Sequence, residues 1–279
     1  MIIDGKKIRG EILESVKEGV AKLPFRPVFC DVLVGNDPVS MQYINMKART
    51  AEAVGIHFHH AEFRNDITTE ELIEEIKKLN EIPNMCGLII QLPLPAHLDR
   101  TLVLDAIKPS IDVDCLGEKA STVFYGGDIK IGYPTALSCM AILDSVATDL
   151  SGKNIVVIGQ GMLVGKPTTH LLQMRGLAVS TIVRSTDIKE REELIKNADV
   201  IISGTGQGKF LMGDMIKKGV IIVDAGTSES KGGIVGDVDL DSVKDVASFV
   251  SPVPGGVGPV TVAMLLKNVL TVAEQIKNE

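Results

Sequence analysis

Three polar side chains at helical spacing, Ser40, Tyr43 and Lys47, give the first chemical signal in the sequence. They lie in residues 38–54, whose pattern predicts a helix that ends at Gly55. Tyr43 and Lys47 are four residues apart and therefore share a helix face, with Ser40 one turn earlier. A lysine in a partly desolvated cleft can transfer a proton, and a neighbouring tyrosine hydroxyl can orient or relay it. The alternative interpretation is an exposed lysine beside a packed tyrosine.

Polar residues also follow the apolar segment 85–94, which predicts a strand buried on both sheet faces. Gln91 lies near its end, two residues before Pro93. Ligands collect at the carboxyl ends of strands in open parallel sheets. Gln91 is therefore either a packed amide or a residue that faces a ligand. Asp112 and Asp114 present a similar choice, between a surface turn and a carboxylate that binds a polar heterocycle.

A glycine-rich segment, residues 159–165, reads Gly-Gln-Gly-Met-Leu-Val-Gly. It follows the apolar run 154–158 and precedes a predicted helix that extends to about Met174. Glycines in this position let the backbone approach a pyrophosphate, which the helix N-terminus attracts. The spacing is G-x-G-x-x-x-G instead of the standard G-x-G-x-x-G, so a plain tight turn is the alternative.

The next predicted strand, residues 178–183, is followed by Arg184 and Ser185. An NAD site commonly has an acidic residue at this point, which holds the ribose 2′-hydroxyl. A guanidinium suits a 2′-phosphate through charge-assisted hydrogen bonds, so the sequence favours NADP over NAD. The alternative is a solvated arginine beside Asp187.

Other reactive residues give weaker signals. Residues 252–259, Pro-Val-Pro-Gly-Gly-Val-Gly-Pro, form either a stiff connector or the lining of a cleft. His57 and His59 share one face of a predicted strand, but no nearby cysteine or carboxylate completes a metal site, so we expect none. The four cysteines contain no CxxC pair, which favours buried reduced thiols.

Alternating helices and strands must position these residues. In the first half, helices are expected at 6–23, 38–54 and 68–79, the last opened by a capping box, and strands at 27–35, 56–63 and 85–94. In the second half, strands are expected at 154–158, 178–183, 200–203 and 220–224, with helices between them and at 133–147 and 260–277. This order predicts an α/β fold with parallel sheets, right-handed crossovers and two lobes that enclose a cleft. We expect a catalytic α/β domain at residues 1–134 plus 261–279, and a Rossmann-type NADP-binding domain at 135–260.

Composition excludes several classes of protein. The chain has 279 residues, of which 45% are hydrophobic and 23% charged, so it is not largely disordered. Its net charge of −7 disfavours nonspecific binding to nucleic acid or anionic membranes. The N-terminus is charged too early for a signal peptide, and the uncharged run 246–266 contains three prolines and three glycines, unlike a membrane span. We expect a cytoplasmic protein without nucleic-acid or membrane partners.

Five motifs in chain order resemble those of the bifunctional methylenetetrahydrofolate dehydrogenase/methenyltetrahydrofolate cyclohydrolase family, the FolD type. They are residues 34–38 with Ser40, Tyr43 and Lys47, then 91–95, 112–114, 236–238 and 252–259. The resemblance covers nearly the whole chain. It implies oxidation of 5,10-methylenetetrahydrofolate with NADP+ and hydrolysis of the methenyl product to 10-formyltetrahydrofolate. It also implies a homodimer, joined through the nucleotide-binding domains, that serves one-carbon metabolism and purine biosynthesis.

The resemblance also assigns site residues. The implied catalytic residues are Lys47, Tyr43, Gln91 and Asp114, with Gln91 orienting the lysine and Asp114 holding the pterin ring. The implied substrate contacts are those four residues with Pro93, Pro254, Gly255 and Gly258. The implied cofactor contacts are Thr135, Gly159, Gln160, Gly161, Val164, Gly165, Arg184, Ser185, Ser203, Gly204, Thr227 and Thr261.

Three segments depart from the family pattern. The family's Gly-Arg-Ser is replaced here by Gly159, Gln160 and Gly161. Its Pro-Cys-Thr-Pro is replaced by Tyr-Pro-Thr-Ala at residues 133–136, and its Asp-Val-Asp-Gly has Cys115 in place of the glycine. The usual Arg and Ser assist NADP phosphate binding, a contact for which Arg184 can compensate. The altered loop motivates one alternative, a non-catalytic nucleotide sensor. A second alternative is an enzyme like shikimate dehydrogenase, which shares the two-lobed plan and a catalytic lysine.

Overall fold

The computed structural model describes residues 1–127, 129–147, 149–230 and 233–278. In chain order the elements are α1 (Gly5–Val20), β1 (Val28–Val34), α2 (Pro38–Ala53), β2 (His57–Phe63), α3 (Thr69–Asn80), β3 (Met85–Ile90), α4 (Arg100–Asp105), α5 (Glu118–Tyr125), α6 (Pro134–Val146), β4 (Ile155–Ile158), α7 (Gly165–Met174), β5 (Val179–Ile182), α8 (Ile188–Asn197), β6 (Val200–Ser203), β7 (Ile221–Asp224), β8 (Ser228–Ser230), β9 (Gly233–Val235), α9 (Leu240–Val243), β10 (Phe249–Val250) and α10 (Val257–Asn278).

The chain divides into two compact units. The lysine unit comprises Glu11–Pro134 and Val262–Glu279, and the glycine-loop unit comprises Met1–Gly10 and Thr135–Thr261. Residues 1–10 thus pack with the glycine-loop unit, whereas the sequence analysis assigned them to the other domain. The reason is strand pairing: Ile3 N–H donates to Val250 O at 2.9 Å, and Val250 N–H donates to Met1 O at 3.0 Å.

In the lysine unit, β1 lies between β2 and β3, and all three strands are parallel. The seven residues of β1 are all buried, as expected of a central strand covered on both faces. Leu72 and Ile76 of α3 lie in the same core as Val16 of α1 and Val269 of α10. The capping box of α3 is confirmed, since Glu71 N–H donates to Thr68 Oγ1 and Thr68 N–H donates to Glu71 Oε2.

In the glycine-loop unit, five parallel strands lie in the order β10-β7-β6-β4-β5. The short strands β6 and β4 are fully buried and supply Ile201, Ile202 and Val156 to the interior. The predicted α/β class with parallel sheets is therefore confirmed for both units.

Several element boundaries differ from the sequence prediction by a few residues, and two of these differences lie at prolines. The helix expected between residues 203 and 220 does not form, and β6 is followed directly by β7. The strand predicted to reach residue 94 ends at Ile90, and Pro93 beyond it has no N–H to donate to a neighbouring strand. The last helix begins at Val257 instead of residue 260, because Pro259 fits the first turn, where helix N–H groups need no partner. By length and composition, Val257–Lys277 is also apolar enough to cross a membrane, but 67% of its most apolar window is buried inside the protein, as in a core helix.

The cysteine prediction is confirmed. Cys30, Cys86, Cys115 and Cys139 are all free and buried. Burial raises the pKa of the Cys86 thiol to about 11 and that of Cys139 to about 12, so both are protonated and unreactive at neutral pH.

Candidate active site

Lys47 is the centre of a polar cluster inside the lysine unit. Its side chain is buried, with 8% of the residue exposed, although it carries an ammonium group. Nζ donates to Gln91 Oε1 at 2.8 Å and lies 2.6 Å from Asp31 Oδ2. Lys47 lies on α2, Asp31 on β1, and Gln91 directly after β3, so the cluster forms only when the sheet is assembled. A buried amine with two such partners can hold or transfer a proton at a defined position.

The N-terminus of α2 is built to present this face of the helix. Gly35 has a φ of +87°, which lets the chain turn sharply after β1. Asp37 then caps the helix, accepting the Ser40 N–H at 2.8 Å, and Pro38 occupies the first turn. Tyr43 lies one turn before Lys47 and is 45% exposed, so its ring is accessible beside the buried amine.

Gln91 reaches Lys47 because it lies directly after β3. Its backbone N–H donates to Val32 O at 2.8 Å, which continues the pairing of β3 with β1 for one more residue. Its side-chain Nε2 donates to Leu92 O at 3.3 Å, and this bond leaves Oε1 for the lysine. The sequence prediction of a polar residue at the carboxyl end of a buried strand therefore identifies a residue that contacts Lys47.

Two carboxylates lie in the loop that follows α4. Asp112 is buried and accepts the Gly117 N–H at 2.8 Å, and desolvation raises its pKa to about 6. Asp114 is partly buried, and desolvation raises its pKa to about 7. The positive charge of Lys47 opposes this rise in pKa, whereas the negative charges of Asp112 and Asp31 add to it. Asp112 is thus held by the backbone, whereas no side-chain hydrogen bond to Asp114 occurs within the described residues.

A buried asparagine of α10 fixes the position of that loop. Asn268 Nδ2 donates to Val113 O at 2.9 Å and to Gly132 O at 2.6 Å. Cys115, two residues after Val113, has a φ of +57°. This conformation costs a residue with a Cβ roughly 1 kcal/mol. Cys115 therefore adopts the left-handed turn for which glycine is usual, and Asp114 keeps its place before it.

The glycine loop of the second unit connects β4 to α7. Gly159 has a φ of +86°, and its N–H donates to Ile182 O at 2.8 Å at the end of β5. At Gly165, a Cβ would lie 1.9 Å from Gly159 O, so the helix can meet the loop only at a residue without a side chain. Gln160 folds back onto the helix and donates to Thr169 Oγ1 at 3.0 Å.

A cavity of about 760 Å³ opens beside this loop. It is lined by Ile158, Gly159, Gln160, Gly161, Ile182, Val183, Arg184, Arg191, Gly204, Thr205, Gly206, Gln207 and Phe210. Two arginines face it, one after β5 and one on α8. Nε of Arg191 is buried and has no hydrogen-bond partner among the described residues, which leaves a donor for an anionic ligand.

Asp237 holds the loop that forms the far wall of the cavity. Its carboxylate accepts Ser203 Oγ at 2.6 Å, Thr205 N–H at 2.7 Å and Gln207 N–H at 2.9 Å. Asp224 in turn accepts the Asp237 N–H at 3.1 Å. The Gly-Asp-Val motif at 236–238 therefore has a structural explanation: its carboxylate shapes the segment after β6.

The remaining predicted contacts of the glycine-loop unit lie outside the lining of the cavity. Val164 packs against Gly204, and Ser203 is buried behind the cavity wall. Pro254 is exposed, and Gly256 N–H donates to Pro252 O at 2.7 Å in a loop that packs on Gly5. Seven of the twelve predicted cofactor contacts are not among the residues that line the cavity: Thr135, Val164, Gly165, Ser185, Ser203, Thr227 and Thr261. Gly258, a predicted substrate contact, does not line it either.

The sequence analysis missed three residues of these clusters, Asp31, Arg191 and Asn268. It named the motif that contains Asp237 but did not predict the role of that carboxylate. Asp31 carried a signal, because it is the one charged residue in the apolar segment of β1. Arg191 and Asn268 carried none, since each lies on a helix with other polar residues and reaches its site only through the fold.

These features define the class of protein. A parallel sheet, a glycine loop at a helix N-terminus and a cavity with two arginines make the glycine-loop unit a Rossmann-type dinucleotide-binding domain. Comparison with known families agrees: residues 133–277 match the NAD(P)-binding domain of tetrahydrofolate dehydrogenase/cyclohydrolase, and residues 3–114 match its catalytic domain. The chain belongs to the tetrahydrofolate dehydrogenase/cyclohydrolase family.

Similar proteins extend over the full chain. The bifunctional protein FolD of Nautilia profundicola is 39% identical over 100% of this chain and 99% of its own length. The crystal structure of bifunctional FolD from Campylobacter jejuni has a TM-score of 0.94 and 36% identity, covering 99% of each chain. A Trypanosoma brucei FolD, solved with NADP cofactor and an inhibitor, has a TM-score of 0.91 and 32% identity over 99% of this chain and 98% of its own.

Proposed function

We propose that this protein oxidises 5,10-methylenetetrahydrofolate to 5,10-methenyltetrahydrofolate with NADP+ and then hydrolyses that product to 10-formyltetrahydrofolate. Membership of the family supports both activities. The observation that carries the proposal is the bond from Lys47 Nζ to Gln91 Oε1 at 2.8 Å, inside the unit that matches the catalytic domain.

Hydrolysis needs a group that exchanges protons with water and with the leaving nitrogen. Water adds to the methenyl carbon and loses a proton, for which the amine of Lys47 is the acceptor. The bond from that carbon to N5 then breaks as the hydroxyl of the adduct loses its proton to form the formyl C=O, and N5 takes up a proton. Of the two protons of the water, one thus ends on N5 and one is released overall. Gln91 accepts a hydrogen bond from Nζ and so holds the amine in one orientation through these transfers. Tyr43, exposed one turn earlier, orients the substrate over the lysine.

Asp114 supplies the recognition of the pterin ring. A carboxylate accepts hydrogen bonds from the amino and ring N–H groups of a pterin, and Asp114 has no competing side-chain donor among the described residues. Its pKa of about 7 places the change between acceptor and neutral acid near physiological pH. Donors from a bound pterin favour the ionised form.

The cavity of the glycine-loop unit fits NADP. When bound, NADP+ supplies the hydride acceptor, the nicotinamide ring. Gly159 and Gly161 bring backbone close to the pyrophosphate position, and Arg184 and Arg191 face the cavity beyond β5, where a 2′-phosphate lies in this fold. The unpartnered Nε of Arg191 is the feature of this chain that favours a phosphate over a hydroxyl.

The primary test measures both activities by absorbance, using methylenetetrahydrofolate with NADP+ or NAD+, and methenyltetrahydrofolate alone. Reduced cofactor and accelerated decay of the methenyl compound are expected from the native protein. Lys47→Met lowers hydrolysis by about 100-fold or more, the usual contribution of proton transfer, while NADP+ binding is retained. Asn45→Ala, an exposed position on the same helix, is the matched control. No turnover by the native protein with either cofactor contradicts the proposal and favours the nucleotide sensor.

The cofactor preference is tested at the two arginines. Each charge-assisted contact to a phosphate contributes about 1.5–3 kcal/mol, or about 10-fold to 100-fold in affinity. Arg184→Ala and Arg191→Ala therefore weaken 2′,5′-ADP, measured by calorimetry, and NADP+ far more than NAD+. Lys189→Ala, exposed on the same helix as Arg191, leaves both affinities unchanged. Equal losses for NADP+ and NAD+ exclude these arginines as readers of the 2′-phosphate.

Assembly and cellular role complete the proposal. The protein is a homodimer joined through the glycine-loop units, where β5 is an edge strand with exposed Ser180 and Thr181 available for pairing. Light scattering should give twice the 29.9 kDa chain mass, and a monomer mass contradicts this part. We place the enzyme in the cytoplasm, where 10-formyltetrahydrofolate supplies formyl groups for purine biosynthesis.

A further inference from the structure

Asp31 is a buried acid whose surroundings do not explain it as a structural residue. It lies in the middle of β1, the remaining residues of which are apolar or cysteine, and it is 0% exposed. Neither carboxylate oxygen accepts a hydrogen bond of normal geometry from the described residues. Buried carboxylates that stabilise a fold are usually surrounded by N–H donors, because desolvation otherwise costs more than the charge returns.

Within the described part of the chain, the one cation paired with Asp31 is Lys47, whose Nζ lies 2.6 Å from Asp31 Oδ2. Replacing such a pair by apolar residues is often neutral or stabilising, so a pair of this kind is weak evidence of a stability device. The lysine is the residue that the proposed hydrolysis uses. Asp31 and Gln91 thus approach the same amine, one with a charge and one with a neutral amide oxygen.

We propose that Asp31 is a positioning residue for the hydrolysis step, which holds the amine of Lys47 in place and shares its proton. This inference rests on the proposed function and adds a second partner to the lysine. Gln91 fixes the direction of Nζ, and Asp31 supplies the opposite charge and a second site for the proton. The pair has no net charge whether the proton lies on nitrogen or on oxygen, so both forms are accessible in a buried site.

Other charged groups around the pair are few. His60 of β2 is the register partner of Asp31, Ile89 of β3 is its apolar partner on the other side, and Asp114 lies near enough to interact electrostatically. Desolvation raises the pKa of Asp31, and Lys47 followed by His60 opposes that rise. Cys30 is the next residue along the strand and faces the opposite side of the sheet. His60 is therefore the group that must be tested as a competing source of pH dependence.

The test is the pH profile of methenyltetrahydrofolate hydrolysis by the full-length protein and Asp31→Asn, a nearly isosteric change. Without the carboxylate, the ammonium of Lys47 loses the opposite charge that stabilises it. The rising limb of kcat then moves to lower pH by about 1–3 units, the usual effect of an opposite charge at this distance. The Km for methenyltetrahydrofolate changes much less, since Asp114 still holds the pterin. A purely structural role lowers activity at all pH values equally.

Two control variants isolate the effect. Cys30→Ala alters the same buried strand on its other face and retains the native profile. His60→Gln removes the neighbouring titratable ring, and its rising limb of kcat against pH stays at the native position. A folded Asp31→Asn protein with an unshifted limb overturns the inference, as does a shift of the same size in His60→Gln.

A second measurement covers the case in which Asp31→Asn does not fold, and it needs no turnover. The ¹³C resonance of the Asp31 carboxyl is followed against pH in the native protein and in Lys47→Met. Loss of the cation raises the titration midpoint of Asp31, and an unchanged midpoint overturns the inference. If the native protein lacks hydrolase activity while this coupling is present, the proposed function fails and the pairing of Asp31 with Lys47 stands.

Discussion

Asp237→Asn tests whether the glycine-loop unit forms its cofactor cavity through one buried carboxylate. Oδ2 of Asp237 accepts two hydrogen bonds, from Ser203 Oγ and Thr205 N–H, and Oδ1 accepts the third, from Gln207 N–H. The donors lie at the end of β6 and in the segment that follows it, which lines or backs the cavity. The substitution keeps the shape of the side chain while it removes the charge and one acceptor.

The magnitude follows from these three bonds. Hydrogen bonds to a charged group contribute about 1.5–3 kcal/mol and neutral ones about 0.5–1.5, so each retained bond loses about 1 kcal/mol. In its best orientation the asparagine keeps the two bonds at Oδ2 and points its amide at the Gln207 N–H, which loses its partner at a further cost of about 1–3 kcal/mol. The segment is therefore destabilised by about 3–5 kcal/mol, and the cofactor affinity falls by at least about tenfold.

The assay separates the two units. Thermal unfolding and the Kd for NADP+ report on the glycine-loop unit, whereas hydrolysis of added methenyltetrahydrofolate reports on residues of the lysine unit. We expect a lower Tm and a weakened Kd, with hydrolysis within about twofold of the native rate. Asp239→Asn is the matched control, because Asp239 caps α9 and asparagine caps a helix equally well. Its carboxylate also forms a long ion pair with Lys209, at 3.9 Å. A folded Asp237→Asn protein with native cofactor affinity refutes the reasoning and means that other contacts shape the segment.

Three further predictions follow from single contacts. The pKa of Asp114 is raised to about 7, and in the proposed site its ionised form accepts the pterin N–H bonds. The Km for methenyltetrahydrofolate should therefore rise as pH falls below about 7. In steady-state assays, Asp114→Asn should abolish that dependence. Gly165→Ala places a Cβ 1.9 Å from Gly159 O and should cost about 1–3 kcal/mol or more in denaturant unfolding, whereas Gly161→Ala meets open space and should cost little. Thr68→Ala removes the α3 capping box and should lower the free energy of unfolding by about 1 kcal/mol; no change in that free energy contradicts the cap assignment.

The sequence predicted well where the signal was local. The capping residues of α3 lie three positions apart, so their bonds could be anticipated without any knowledge of the fold. The alternation of strands and helices likewise predicted parallel sheets, because adjacent parallel strands require a crossover between them. The short helices α4, α5 and α9 were not anticipated, since helices of four to eight residues contain too few turns for a periodic pattern.

The site was predictable only in part, for a physical reason. Tyr43 and Lys47 share a helix face at a spacing that can be read directly, and Gln91 lies at a strand end. The 2.8 Å bond between Lys47 and Gln91 joins residues 44 apart, and it depends on β3 pairing beside β1 and on α2 packing against β1. Asn268 lies 155 residues from its partner Val113. Contacts of this range follow from strand order and helix packing, which no local pattern specifies.

The acidic residues that are buried or partly buried around the two sites fall into two kinds, according to whether backbone N–H groups donate to them. This distinction connects the fold to the chemistry. Asp112, Asp224 and Asp237 accept backbone N–H bonds and thereby shape the loops around both sites, although desolvation raises the pKa of the first two. Asp31 and Asp114 have no such donors among the residues that the structure describes, and each has an electrostatic interaction with Lys47. A carboxylate that the backbone does not satisfy costs stability, so its retention indicates that its free oxygens are used by a substrate or a proton. This argument supports the two proposals made above, that Asp114 binds the pterin and that Asp31 positions the amine of Lys47.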